Sequence, residues 1–103
     1  MEVYIELLRP VNPIGKSFIT NVYGAIAANN RELIEKYKRE LMRSIQKLGY
    51  KLEEIIGNGK LISGMLVIVL DDNTREPKKV YFKEVKVWSV EKVLNEKLET
   101  EVS

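Results

Sequence analysis

The chain contains no cysteine and no histidine in 103 residues. Disulfides, thiolate nucleophiles, imidazole acid/base work, Ser-His-Asp relays and Cys/His zinc or iron sites are all excluded. The chemistry left is that of carboxylates, lysines, hydroxyls and tyrosines, or of a hard cation held by oxygen ligands, and no cofactor is expected. Aspartate and glutamine are scarce too: thirteen Glu stand against two Asp, twelve Lys against five Arg, and there is one Gln. That bias resembles thermophile proteins and suggests a hot archaeal or bacterial cytoplasm. A long hydrophobic run is also missing, because Met65–Leu70 is far shorter than the roughly 20 residues a bilayer helix needs. The opening residues alternate polar with apolar and carry no basic leader. A soluble, cytoplasmic chain with no membrane partner is the expectation.

Hydrophobic residues make up 45% of the chain, enough for one core without staples, so a single domain over 1–103 is expected. The net charge of +2 permits nucleic acid as a partner without singling it out.

Val3, Ile5 and Leu7 alternate with Tyr4, Glu6 and Leu8, which predicts a strand ending before Arg9-Pro10. Pro10 to Gly15 holds two of the three prolines and reads as a loop. Phe18, Ile19, Val22, Tyr23 and Ile26 then recur at helical spacing up to Ala28. A second helix follows, with Asn29 and Glu32 spaced like a capping box and a stripe of Leu33, Ile34, Tyr37, Leu41, Ile45 and Leu48. Gly49 reads as its C-terminal cap, and its outer face is basic, a pattern that is ordinarily just solvated.

Beyond Gly49 the period changes to two. Tyr50, Leu52, Glu54 and Ile56 suggest a strand, Gly57-Asn58-Gly59-Lys60 a tight hairpin, and Leu61 to Leu70 a central return strand. After a reversal at Asp71 to Pro77, the strand from Lys79 to Trp88 changes apolar phase, which predicts a bulge near Glu84. Ser89 resembles an N-cap for a short helix with Val90, Val93, Leu94 and Leu98 on one stripe, and Thr100 to Ser103 are expected to fray. The order β-α-α-β-β-β-α predicts an α+β fold of two layers, with helices on one face of a mostly antiparallel sheet.

Four constellations bear on function. Gly15-Lys16-Ser17 ends a strand-to-helix loop as a phosphate loop does, but Pro10 replaces the first glycine and Pro13 removes a further N–H, so nucleotide hydrolysis is not expected. The N-terminal end of that helix still suits an isolated phosphate.

Ile14-Gly15-Lys16, followed by Asn21-Val22 and Ala25, resembles the start of the Alba family of small archaeal nucleic-acid-binding proteins. The resemblance covers about fifteen residues and implies that Lys16 meets a phosphate backbone. The chain departs from the family at Ser17, which replaces a second basic residue, at Phe18, which replaces a proline, and after Asn30, where no room remains for the family's strand between its helices.

Asp71-Asp72 with Glu84-Val85-Lys86 resembles the carboxylate and lysine signature of metal-dependent nucleases. A hairpin pairing Leu70 near Val80 puts Glu84 opposite Leu66, on the order of 20 Å from Asp72 at ~3.3 Å per residue, too far for one metal. Finally, Arg75, Lys78, Lys79, Tyr81, Lys83 and Lys86, with Phe82 and Trp88, form a basic aromatic strand in which Lys79, Tyr81 and Lys83 share a face. Lysines neutralising phosphate beside an aromatic that stacks on a base are how sheets hold single strands. The same strand also reads as an edge whose lysines prevent aggregation, with Phe82 and Trp88 in the core.

The expectation is a small non-enzymatic nucleic-acid-binding protein using Lys16, Ser17 and the strand from Arg75 to Lys86, and forming a homodimer. A protein-interaction module or assembly subunit, viral or cellular, is the rival; a metal-dependent nuclease or phosphate-binding enzyme ranks third.

Overall fold

Alternation in β1 (Glu2–Val11) sends Ile5, Leu7 and Val11 into the interior, while Glu2, Tyr4, Glu6 and Leu8 remain exposed. The computed structural model describes residues 1–102. It continues with α1 (Lys16–Asn29), α2 (Arg31–Ile56), β2 (Leu61–Leu70) and β3 (Pro77–Trp88). This is a small α+β domain whose three strands form one antiparallel sheet in the order β1-β2-β3. No helix among the described residues is long and apolar enough to cross a membrane.

β2 is central, as its apolar run suggests: Ile62, Leu66, Val67 and Ile68 have no exposure. Its alternate residues join Phe18, Val22 and Ile26 of α1 and Leu33, Ile34, Leu41, Ile45 and Leu52 of α2 in one core. From β3 the ring of Phe82 meets that of Phe18 at 5.9 Å, and Val80 and Val85 pack alongside.

Several elements differ from the sequence reading. β1 runs through Pro10, which an edge strand tolerates because no neighbour needs its missing N–H, and its register shifts between Leu7 and Val11. The cap of α2 is Asn30, whose side-chain oxygen accepts from the Leu33 N–H at 3.4 Å; Asn29 instead closes α1, donating to the Ala25 carbonyl at 2.8 Å. α2 is interrupted at Tyr37 (φ −129°, ψ 23°), and both halves still reach the core through Leu33 and Leu41.

The larger correction is at Gly49, which is buried inside α2 rather than at its end. Residues 50–56 are helix, so the strand expected there and its hairpin at Asn58 do not exist. Leu52 and Ile56 continue the stripe of Leu41, Ile45 and Leu48, and Gly57 ends the helix by donating to the Glu53 carbonyl at 2.8 Å. Gly49 is required by a close approach: a Cβ there would collide with the Pro13 carbonyl oxygen and lie 3.2 Å from the Pro13 carbon and 3.4 Å from the Phe18 ring. The loop before α1 therefore lies directly on α2.

The terminal helix expected from Ser89 is absent. Residues 89–102 carry no helix or strand and are exposed throughout, so the observed order is β-α-α-β-β. A stripe of four apolar residues in so short a segment does not hold a helix without a surface to cover it. The fraying expected over 100–103 includes Ser103, which lies outside the described residues.

Candidate nucleic-acid interface

The bulge expected near Glu84 decides which side chains share a surface. Glu84 has a φ of 55°, and the β2–β3 register shifts between Ser63 and Met65. Across from it stands Gly64 (φ 156°), where a Cβ would lie 3.1 Å from the carbonyl oxygens of both Lys83 and Glu84. Two residues of β3 thus face one of β2. Before the bulge Val80 and Phe82 turn to the core; after it Val85 does. Lys79, Tyr81, Lys83, Lys86 and Trp88 consequently all lie on the opposite face of the strand.

On that face Val67 of β2 pairs with Tyr4 of β1 on one side and Tyr81 of β3 on the other, and it has no exposure although it is not part of the main core. The two tyrosines flank and cover it. Glu2 joins them: one carboxylate oxygen accepts the Tyr4 hydroxyl at 2.8 Å and the Tyr81 hydroxyl at 3.2 Å. The Tyr4 hydrogen bond, aided by that of Tyr81 and the charge of Lys83, holds the Glu2 carboxyl below its ordinary range. Tyr4 is pushed up by its hydrogen bond to Glu2 and Tyr81 by burial, so both rings are neutral at pH 7. The Lys83 ammonium stands 4.8 Å from the centroid of the Tyr4 ring, and that of Lys79 5.9 Å from the Tyr81 ring.

Toward the other end of the face, Trp88 is about half exposed and donates its indole N–H to the Ser63 hydroxyl at 2.9 Å, which fixes the ring. Between Trp88 and Leu8 lies an open recess over Gly64, bordered by Glu6, Met65 and Lys86. The surface therefore presents three aromatic rings and three exposed lysines along β1 and β3.

The remaining residues singled out from the sequence sit elsewhere. Lys16 and Ser17 open α1, the helix that meets Phe82 on the core side of β3, and so do not share the Tyr81 face. The loop before them does not form a phosphate cradle, because Asn12 takes its N–H groups: the side chain accepts from Ile14 at 3.1 Å and the carbonyl from Gly15 at 3.4 Å. Arg75 (φ 64°) lies in the β2–β3 turn, and Lys78 pairs with Asp71 at 3.1 Å.

Asp71 is a turn residue: its other oxygen accepts from the N–H groups of Thr74 at 2.9 Å and Asn73 at 2.8 Å. These bonds, with Lys78, hold its carboxyl far below the usual range. Asp72 pairs with the N-terminal amine. The hairpin pairs Leu70 with Pro77 and Ile68 with Val80, so Glu84 falls beside Gly64 rather than Leu66, at the far end of β2 from Asp71. Among the described residues no three acidic side chains converge on a metal position.

Sequence reading missed Tyr4 and Glu2. The alternation of Val3, Ile5 and Leu7 already sets Tyr4 on the outward side of β1, but its neighbourhood with Tyr81 depends on β1 and β3 flanking the same central strand. The strand that the Alba family places between its helices has no counterpart here, as the lack of room after Asn30 implies: Asn30 alone separates α1 from α2. Comparison with known proteins finds no matching family model, no matching curated protein and no matching solved structure.

Proposed function

We propose that this protein binds single-stranded nucleic acid across the sheet face formed by Tyr4, Tyr81 and Trp88 with Lys79, Lys83 and Lys86. In this reading the two helices cover one face of the sheet in a two-layer arrangement and leave the other to the ligand. The observation that carries it is the pair of tyrosines flanking Val67, each with an ammonium over its ring. A base stacking on either ring displaces that lysine toward the phosphate beside it, so aromatic and charge contacts form together. The hydroxyl bonds to Glu2 hold both rings in place before the ligand arrives, which limits the ordering cost of binding.

The test is fluorescence anisotropy with labelled single-stranded RNA and DNA of mixed sequence at low salt. Tyr4→Leu and Tyr81→Leu keep an apolar cover over Val67 while removing the ring. Stacking worth about 1–3 kcal/mol per base predicts a loss of roughly fivefold or more for each. Unaltered affinity in both variants, or no binding by the unmodified protein, overturns the proposal.

A further inference from the structure

The segment after β3 is an unpartnered apolar element among the described residues. Val90, Val93, Leu94, Leu98 and Val102 are between 60% and 102% exposed. The radius of gyration, 16.7 Å, exceeds the value of about 13 Å for a compact chain of this length, as a segment standing away from the body requires. Val90, Val93, Leu94 and Leu98 fall on one stripe at helical spacing, with Glu91 and Glu96 at its borders. A lone helix of this length is marginal in water, so it forms only against a surface.

The surface that complements it is on α2. Residues 89–103 contain four Glu and two Lys, so they carry −2 while the rest of the chain carries +4. An open recess along α2 has an apolar floor at Ile19 and Met42; its rim carries Lys36, Lys38, Arg39 and Arg43 against Glu35 and Glu40, an excess of two positive charges that matches the −2 of the segment. Arg39 and Arg43 are exposed and enter no ion pair among the described residues.

A helix begun at Ser89 does not centre its stripe on the recess of its own chain. The segment leaves the sheet at Trp88, paired with Leu61, beside the C-terminal end of α2 at Ile56. A helix starting at Ser89 centres its stripe about 7 Å from that point, whereas Met42 lies about 21 Å back along α2 at ~1.5 Å per residue. We infer that residues 89–101 of one copy fold as an amphipathic helix in the α2 recess of a second copy. The exchange is reciprocal, giving a two-fold dimer in which each chain contributes one arm and one recess.

Sedimentation velocity on the full chain from micromolar to several hundred micromolar tests this, with circular dichroism at each end of the range. Dimerisation accompanied by a gain of helix is expected. Val93→Glu combined with Leu94→Glu is expected to stay monomeric with the body folded, because both residues are exposed. Arg39→Glu with Arg43→Glu is expected to weaken the dimer tenfold or more, and adding Glu91→Lys and Glu96→Lys to restore it. A monomer throughout the range, a monomer whose arm is already helical on its own body, or a dimer indifferent to both sets of changes overturns the inference.

Discussion

Replacing Gly49 by alanine separates packing from helix propensity, because α1 offers a control. Gly24 lies mid-helix in α1, exposed, with nothing within 4 Å of where a Cβ would stand. Gly24→Ala should therefore stabilise the protein by the propensity difference alone, about 0.8–1.0 kcal/mol. Gly49→Ala receives the same gain, but its methyl meets the Pro13 carbonyl, which is backbone and cannot swing away as a side chain does. Forcing a methyl group into a packed contact costs about 1–3 kcal/mol, so the net change is a loss of up to ~2 kcal/mol. Propensity cancels between the two variants, and their difference isolates the packing cost. Urea unfolding of both proteins in parallel measures it, and thermal melts should separate the pair by at least ~4 °C. If Gly49→Ala proves as stable as Gly24→Ala, the loop does not lie on α2 as described.

Three further outcomes are expected. Gly64→Ala, which meets two carbonyl oxygens at 3.1 Å and a φ of 156°, should lose about 1–3 kcal/mol and shift the emission of the single tryptophan, Trp88, as the bulge rearranges; an unchanged melt and spectrum contradict the bulge geometry. Asp71 is more acidic folded than in an unfolded chain, where its pKa is about 3.9. Its contribution to stability is therefore complete above that pH and is lost as pH falls toward the folded value; Asp71→Asn should flatten the acid limb of the stability curve, and carbon NMR should find the Asp71 carboxyl still ionised where a free aspartate is protonated. Trypsin at micromolar protein should cleave first after Lys92 and Lys97 and leave a body with an unchanged unfolding midpoint; early cuts within 1–88 are inconsistent with the exposed arm.

The residues themselves explain what was legible in the sequence. β2 was readable to the residue because a continuous apolar run bounded by turn residues has few other solutions, and the bulge because the apolar phase of β3 changes parity at Glu84. Residues 50–56 are ambiguous because Tyr50, Leu52, Glu54 and Ile56 satisfy period two while Leu41, Ile45, Leu48, Leu52 and Ile56 satisfy the helical period, and Gly49 has the local signature of a helix end. The glycine answers a tertiary contact, the close approach of the Pro13 carbonyl to α2, which no local pattern encodes. Of the interface, the grouping of Lys79, Tyr81 and Lys83 was visible from alternation. The addition of Tyr4 and the separation from Lys16 follow from strand order, which brings together residues nearly eighty positions apart.

The central proposal, a single-strand interface on the outward face of β1 and β3, is tested most directly by the salt dependence of binding. The association constant for a labelled single-stranded oligonucleotide is measured from low to moderate salt for the unmodified protein, for Lys79→Ala with Lys83→Ala, and for Lys16→Ala. Each phosphate contact on a single strand contributes about 0.7 to the slope of log K against log salt, so the double variant should lose about 1.4 and Lys16→Ala essentially nothing. Trp88 emission should be quenched on binding, as the half-exposed ring lies on the same face. A slope unaltered in the double variant, or one that falls only with Lys16→Ala, contradicts the account.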